Sequence, residues 1–312
     1  MIAAAASFVA NTYGGPVMLL ALLLGIALNF LSEGARVRPG VRFTAKGVLK
    51  LGVALLGLRI AVEDVMALGL ATLLIVVGAM AVTIAAGLML SRIFGRTAAF
   101  GTLIGGATAI CGVSAALAIA SVLPRSETGE RDLAFTVMSV TTLSTVAMVF
   151  YPVFADLLGF THVQTGILVG ATIHDVAQVV GAGYAVSVEA GDTATIVKLF
   201  RVAMLMPVVL LVAAAFRSAD IRAAAGRLPL PLFVLGFVVL VMLNSLGLVP
   251  ETVRLLLVEL SRWCLIAAVA AIGLTTSMAD MMKIGRSAVA ISVGTTLVLL
   301  VVVVLLLWQM GA

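Results

Sequence analysis

His174 and Asp175 stand side by side in a stretch otherwise built of apolar and small residues, and Gln178 follows in the pentapeptide His174-Asp175-Val176-Ala177-Gln178. Ionisable groups inside an apolar, membrane-length segment are costly to bury and therefore mark solute or proton pathways. Histidine titrates near neutral pH, so beside a carboxylate it suits the coupling of solute movement to protons. On a continuous helix His174 and Gln178 share one face while Asp175 points about 100° away. One face would then read a solute and Asp175 would serve a proton or a neighbouring helix. The alternative is a polar pair that only fixes two helices together.

Lys198 and Arg201, three residues apart, present one cationic face to an anion, Arg201 through its planar fork and Lys198 as a point charge. Alternatively both extend to the outer headgroups. Pro207 kinks the same segment. Arg59 is either a site cation or the partner of Glu63 one turn later. Asn29, Asn244, Ser245, Thr275, Thr276 and Ser277 supply neutral hydrogen-bonding groups or interhelical glue. Cys111 raises the possibility of a nucleophile, which would need His162 or His174 as its base; it reads more simply as a small residue at a helix break. Cys111 and Cys264 are isolated, with no spacing that holds a metal or pairs in a disulfide, and no cofactor motif occurs.

These residues must be positioned by membrane helices. Of 312 residues 63% are hydrophobic and 11% charged. The uncharged runs Val65–Ser91, Thr97–Pro124, Leu133–Ala155, Leu228–Pro250 and Ser287–Ala312 each exceed the roughly 20 residues that a spanning helix needs. Shorter apolar runs at 16–32, 46–62, 163–187, 199–216 and 263–279 bring the total to about ten. The expected fold is all-α, a single polytopic membrane domain over 1–312 with no room for a soluble one. The net charge of +5 falls mainly into short loops, which makes it an orientation signal and not a nucleic-acid footprint. Arg36, Arg38, Arg42, Lys46 and Lys50 follow the first segment, Arg92 and Arg96 the third, Arg217, Arg222 and Arg227 the seventh, Lys283 and Arg286 the ninth. These loops are expected in the cytoplasm and both termini outside. Met1–Asn11 has no basic stretch ahead of its alanines, so it reads as part of the mature chain.

Two internal echoes organise the chain. Pro16–Asn29 and Pro231–Asn244 are apolar segments of equal length, and the pairs Gly57-Leu58 and Gly273-Leu274 are each followed six residues later by Asp64 or Asp280. Elements 16–91 and 231–310 thus repeat at an offset of 215 or 216 residues. In the middle, Gly106-Ala107-Thr108 leads into Cys111-Gly112, and Gly170-Ala171-Thr172 leads into His174-Asp175. Segments 98–124 and 163–187 are therefore expected to be interrupted helices, either re-entrant or full spans broken near the middle, with the two halves of the chain inverted. Unwound backbone at that depth must line a cavity or bind a solute, although single glycines often serve only close packing.

Gly105–Ala118, Gly170–Gly183 with its His-acidic-Val-Ala-Gln core, Lys198–Arg201 with Pro207, and Ala267–Thr276 together resemble the YeiH-like family of bacterial inner-membrane proteins to which sulfate export is ascribed. The resemblance covers nearly the whole chain. It departs in two places: family members often carry Glu where this chain has Asp175, and many have an additional membrane segment before the one at Pro16. The resemblance implies a secondary transporter related to the cation/proton antiporter and bile-acid transporter group, with the substrate site where two interrupted helices meet. Carried over, Thr108, Cys111, Gly112, Ser114, His174, Gln178, Lys198 and Arg201 are the substrate-binding candidates, and His174 with Asp175 the proton or ion coupling pair.

The expected function is alternating-access transport of a small anion, sulfate or an organosulfonate, linked to protons, in a bacterial inner membrane. No nucleotide-binding GxxxxGK[ST] motif occurs, so H+ or Na+ gradients or exchange supply the energy. The alternatives are a sodium-coupled organic-anion symporter, in which carbonyls at the breaks and Asp175 hold Na+, and a membrane-embedded enzyme using Cys111 and His174. The sequence leaves open whether the chain forms a homo-oligomer.

Overall fold

Apolar runs long enough to satisfy all their backbone groups internally become helices, because lipid offers no other partner for N–H and C=O. The computed structural model describes residues 1–13, 17–33, 37–124, 126–216, 232–275 and 286–311, and among these it holds helices and no strand. In chain order they are α1 (Ile2–Tyr13), α2 (Val17–Ala27), α3 (Arg38–Phe43), α4 (Leu49–Leu55), α5 (Val62–Ala67), α6 (Gly69–Ile93), α7 (Ala98–Ala109), α8 (Val113–Ala120), α9 (Gly129–Leu157), α10 (His162–Thr172), α11 (Val176–Val186), α12 (Val188–Ala203), α13 (Leu205–Ala215), α14 (Leu232–Ser245), α15 (Glu251–Thr275) and α16 (Arg286–Gly311). Five stretches are long and apolar enough to cross a membrane: Gly69–Ile93, Gly129–Leu157, Val188–Ala215, Glu251–Thr275 and Ser287–Gln309. The chain is a multi-pass helical membrane protein. Pro16, Arg36, Arg217, Arg222, Arg227, Pro231, Thr276, Ser277, Asp280 and Lys283 lie outside the described residues.

Packing sorts the helices into two groups. One contains α1 to α5 with α14 and α15; the other contains α6 to α13 with α16, and α11 leans on α2 and α15 from across the boundary. Within the first group the two ends of the chain interlock reciprocally. Asn29 donates to the Leu274 carbonyl, and Asn244, 215 positions later, donates to the Ile60 carbonyl. A side chain at Gly273 would overlap the Leu22 carbonyl and crowd Gly25 and Ile26, while one at Gly57 would overlap the Phe237 carbonyl and crowd Leu240 and Val241. The glycine contacts recur at a fixed offset, Leu22, Gly25 and Ile26 standing 215 positions before Phe237, Leu240 and Val241, whereas the carbonyl that Asn244 reaches lies two residues beyond the counterpart of Leu274.

These glycines are needed for backbone approach, since the obstacle in each case is main chain that a side-chain rotation cannot move. Gly273→Ala should lower the thermal midpoint in detergent, with about 1–3 kcal/mol lost to overpacking. Gly78→Ala, whose added methyl meets nothing within 4 Å, is the control and should be neutral or slightly stabilising, because alanine is the better helix former. Equal midpoints for the two variants would contradict the close approach.

Across the boundary between the groups, Arg59 Nε meets Asp192 Oδ2 at 3.3 Å and its guanidinium lies 5.7 Å from the Tyr184 ring centre. Tyr184 donates its hydroxyl to the other Asp192 oxygen. Arg59 therefore does not take the Glu63 partner expected from helical spacing: the chain leaves the helix at Arg59 and restarts only at Val62, so the one-turn geometry between them is lost.

Candidate functional site

Two short helix pairs flank two breaks. Thr97 caps α7 by accepting from Phe100 N, and α7 ends at Ala109. Gly112 then adopts φ +65° and ψ −117°, a conformation open only to glycine, and its N–H returns to the Ala107 carbonyl at 2.9 Å before α8 begins. In the second pair Thr161 and Gln164 form a capping box at the start of α10. Ile173 leaves the helix with φ −68° and ψ 137°, and Asp175 restarts it by accepting from Ala177 N at 2.9 Å. The breaks correspond at an offset of 64 residues: Thr97 with Thr161, Ala109 with Ile173, Ile110 with His174 and Cys111 with Asp175. They also lie side by side, for a side chain added at Gly112 would sit 3.5 Å from His174 Cβ.

His174 consequently does not share a helical face with Gln178, as a continuous helix would require; it lies in the break, and Asp175 is the cap of α11. The signal was available, since Asp followed three residues later by Gln at the head of an apolar run is a helix-start pattern.

Where α7 and α10 end, carbonyl groups lack helical partners, and each end carries about half a negative charge. Two such ends brought together away from water would repel and remain unsolvated. Lys198 and Arg201, one turn apart on α12 and both wholly buried, answer this. Arg201 donates from Nε to Ala109 O (2.9 Å), from Nη2 to Thr108 O (2.9 Å), and from Nη1 to Gly170 O (2.9 Å) and Ile173 O (3.1 Å). Lys198 Nζ donates to Ile110 O (2.7 Å), Ile173 O (2.9 Å) and His174 O (2.6 Å). Each cation bridges corresponding carbonyls of both breaks: Ala109 and Ile173 for Arg201, Ile110 and His174 for Lys198. Neither reaches a headgroup, and neither presents a free cationic face; the lysine has all three protons engaged. The uncompensated helix ends are nearer and more demanding partners than a distant headgroup.

Around this crossing lie polar side chains that apolar packing does not explain. His174 Nε2 is 3.3 Å from Thr296 Oγ1 of α16. Gln178 donates to Thr145 Oγ1 at 2.8 Å, and Asp175 N donates to Ser144 Oγ at 3.0 Å, both on α9. His174 Nδ1, Gln178 Oε1 and Thr108 Oγ1 are buried without a hydrogen-bond partner. Buried polar atoms in native proteins are normally paired, so orphans call for a bound solute or water. Ser144, Thr145 and Thr296 are the residues that sequence reasoning missed, and the only hint was the density of hydroxyls between Ser139 and Thr145.

The other candidates fall at different distances from this centre. Cys111 is buried on the first break, where its sulfur faces the Ala115 N–H. Neither nitrogen of His174 is hydrogen-bonded to it. Ser114 is exposed, in the first turn of α8. Asp175 is half-buried, and the charge of Lys46, from the stretch between α3 and α4, reaches its carboxylate through space. Among the described residues no three His, Cys, Asp or Glu side chains converge as metal ligands would.

Comparison with known proteins adds a family. The model described as conserved hypothetical protein 698 matches residues 1–308. The UPF0324 membrane protein TauZ of Paracoccus denitrificans is 53% identical over 315 residues, covering 100% of this chain and 93% of that protein. A UPF0324 membrane protein of Rhizobium meliloti is 50% identical, covering 99% of this chain and 91% of its own length. One of Chlorobaculum tepidum is 47% identical, covering 97% and 85%. No solved structure matches the chain.

Proposed function

We propose a transport function, and its premise is plain: the chain belongs to the membrane-protein family described as conserved hypothetical protein 698. In this reading it is a secondary active transporter of a small anion, with sulfate or an organosulfonate as the solute, working by alternating access and linked to protons through His174 and Asp175. It is not an enzyme, and it resides in a bacterial inner membrane with both termini outside. Some ten membrane segments form two inverted halves, and α7–α8 and α10–α11 are the two interrupted segments.

The observation that carries this reading is the buried meeting of two helix breaks, bridged by Lys198 and Arg201 with Gly112 beside His174, amid orphaned polar atoms. Carriers with inverted repeats place substrate at such interrupted helices. The reciprocal bonds of Asn29 and Asn244, and the sharing of corresponding carbonyls by Lys198 and Arg201, support the inversion. Charge supports an anion. The partial charges of two helix C-termini and two N-termini cancel, and the buried cations Lys198 and Arg201 outnumber the carboxylate of Asp175, which makes the crossing net positive. The N-terminus of α8 adds direction, for it has no side-chain cap whereas Asp175 caps α11. The two packing groups, tied by Arg59 and Asp192, supply rigid bodies that can move against each other, as alternating access requires.

The test is uptake of labelled sulfate, then of organosulfonates, into proteoliposomes holding purified protein under an imposed pH gradient. The expected result is saturable uptake driven by the gradient and reduced at least about tenfold in His174→Ala, a loss equivalent to about 1.4 kcal/mol of barrier. Wild-type vesicles that match empty ones across the whole anion panel would sink the reading.

A further inference from the structure

Carriers built from broken helices commonly hold their coupling cation on unwound carbonyls and half-helix C-termini. In this chain such carbonyls converge from both breaks, but the group at their centre is a side chain. Ile110 O, Ile173 O and His174 O surround Lys198 Nζ at 2.6 to 2.9 Å, with no solvent exposure. Three oxygens of like polarity, drawn from two separate chain segments and facing one point, repel one another unless a cation fills that point. An arginine cannot do the same work as a compact point charge, and Arg201 is spent on a neighbouring set, sharing only Ile173 O.

We infer that the Lys198 ammonium is a tethered replacement for a free alkali cation: it occupies the carbonyl cage at the crossing permanently and makes the protein independent of Na+. The inference rests on the transport reading only where it concerns coupling, since occupancy of the cage is a property of the folded chain. It removes the sodium-coupled symporter as an alternative, because the carbonyls that such a carrier would offer Na+ are already donated to. It leaves the proton as the coupling ion for the reading above.

A purely structural lysine and a tethered ion differ in one respect. Removing the first harms the protein equally in every salt, whereas removing the second opens a site that Na+ can enter. Thermal unfolding in detergent would be followed for wild type, Lys198→Ala and Lys198→Met in NaCl and in choline chloride at equal ionic strength. Wild type should show one midpoint in both salts. Lys198→Ala should unfold far earlier in choline chloride and regain several degrees in NaCl, or be recovered folded only when NaCl is present from extraction onward. Lys198→Met, which fills the vacated space without charge, should be low in both salts.

A wild-type midpoint that rises with Na+ overturns the inference. So does a Lys198→Ala midpoint that is the same in both salts, or failure to recover that variant in NaCl when Lys198→Met is recovered. Failure of both variants to fold in NaCl as well as in choline chloride overturns it too, since a vacated cage that Na+ fills should keep Lys198→Ala foldable. Because the readout is unfolding, a protein that passes the salt test yet moves no anion would sink the transport reading and leave the role of Lys198 intact.

Discussion

Replacing Arg201 with methionine should leave little or no folded protein. Among the described residues the guanidinium is the largest wholly buried side chain, and it satisfies the Thr108, Ala109 and Gly170 carbonyls, besides the Ile173 carbonyl it shares with Lys198. Each buried acceptor left without a donor costs about 1–3 kcal/mol, and the two helix C-termini regain their mutual repulsion. The sum is comparable with the whole stability of a typical domain, about 5–15 kcal/mol. Methionine keeps the apolar stem and loses the guanidinium, so the effect would come mainly from the lost donors and charge and not from the packing of the stem. Arg201→Lys should fall between, since one nitrogen retains the charge but cannot span both helix ends as the planar fork does. The measurement is the yield of monodisperse protein in detergent and its thermal midpoint. An Arg201→Met variant that unfolds within a few degrees of wild type would mean that the helix ends are held by something other than this bridge.

That role was only half legible in the sequence. Lys198 and Arg201 stand out as cations in an apolar segment, and their spacing puts them on one face. Their partners are main-chain carbonyls roughly 25 to 90 residues earlier in the chain, and a carbonyl leaves no mark in a sequence. With no anion-binding motif to compare, an outward-looking cationic face was the natural expectation. Arg59 was misread for a related reason: its partners Asp192 and Tyr184 are distant in sequence, whereas Glu63 is one turn away only if the helix continues. Ser144, Thr145 and Thr296 escaped notice because hydroxyls in apolar helices usually back-bond to their own turn. Thr145 does so to Thr141 O even while it receives Gln178.

What composition and periodicity did reveal was the frame. Apolar runs of spanning length announce helices, and glycines that recur at a fixed offset announce repeated backbone contacts, because both follow from local chemistry. The reciprocal pairs made by Asn29 and Asn244, and by Gly57 and Gly273, were readable as matched landmarks before their contacts were known. The meeting of the two breaks was not, since it depends on how α7, α10 and α12 converge in space. Only the resemblance, through the design shared by a wider group of carriers, pointed to that crossing.

Asp175 offers a separation of stability from transport that no other residue of the site allows. Its carboxylate does two things at once: it accepts from Ala177 N as the cap of α11, and it supplies the one negative side-chain charge at a crossing that holds two cations. Asparagine caps a helix about as well as aspartate does, whereas alanine costs roughly 1 kcal/mol. Asp175→Asn should therefore unfold within a degree or two of wild type, and Asp175→Ala clearly earlier. Transport should not follow that order. If the carboxylate carries or gates the proton, both variants lose the response to an imposed pH gradient, and gradient-driven uptake falls by about tenfold or more, about 1.4 kcal/mol or more of barrier. With that charge gone the crossing is more positive, so anion binding should persist or tighten in Asp175→Asn while turnover slows. Binding is read by the anion-induced rise in midpoint, turnover by uptake under the gradient. An Asp175→Asn protein that transports like wild type at every gradient would leave Asp175 as a helix cap alone and return the proton-linked role to His174.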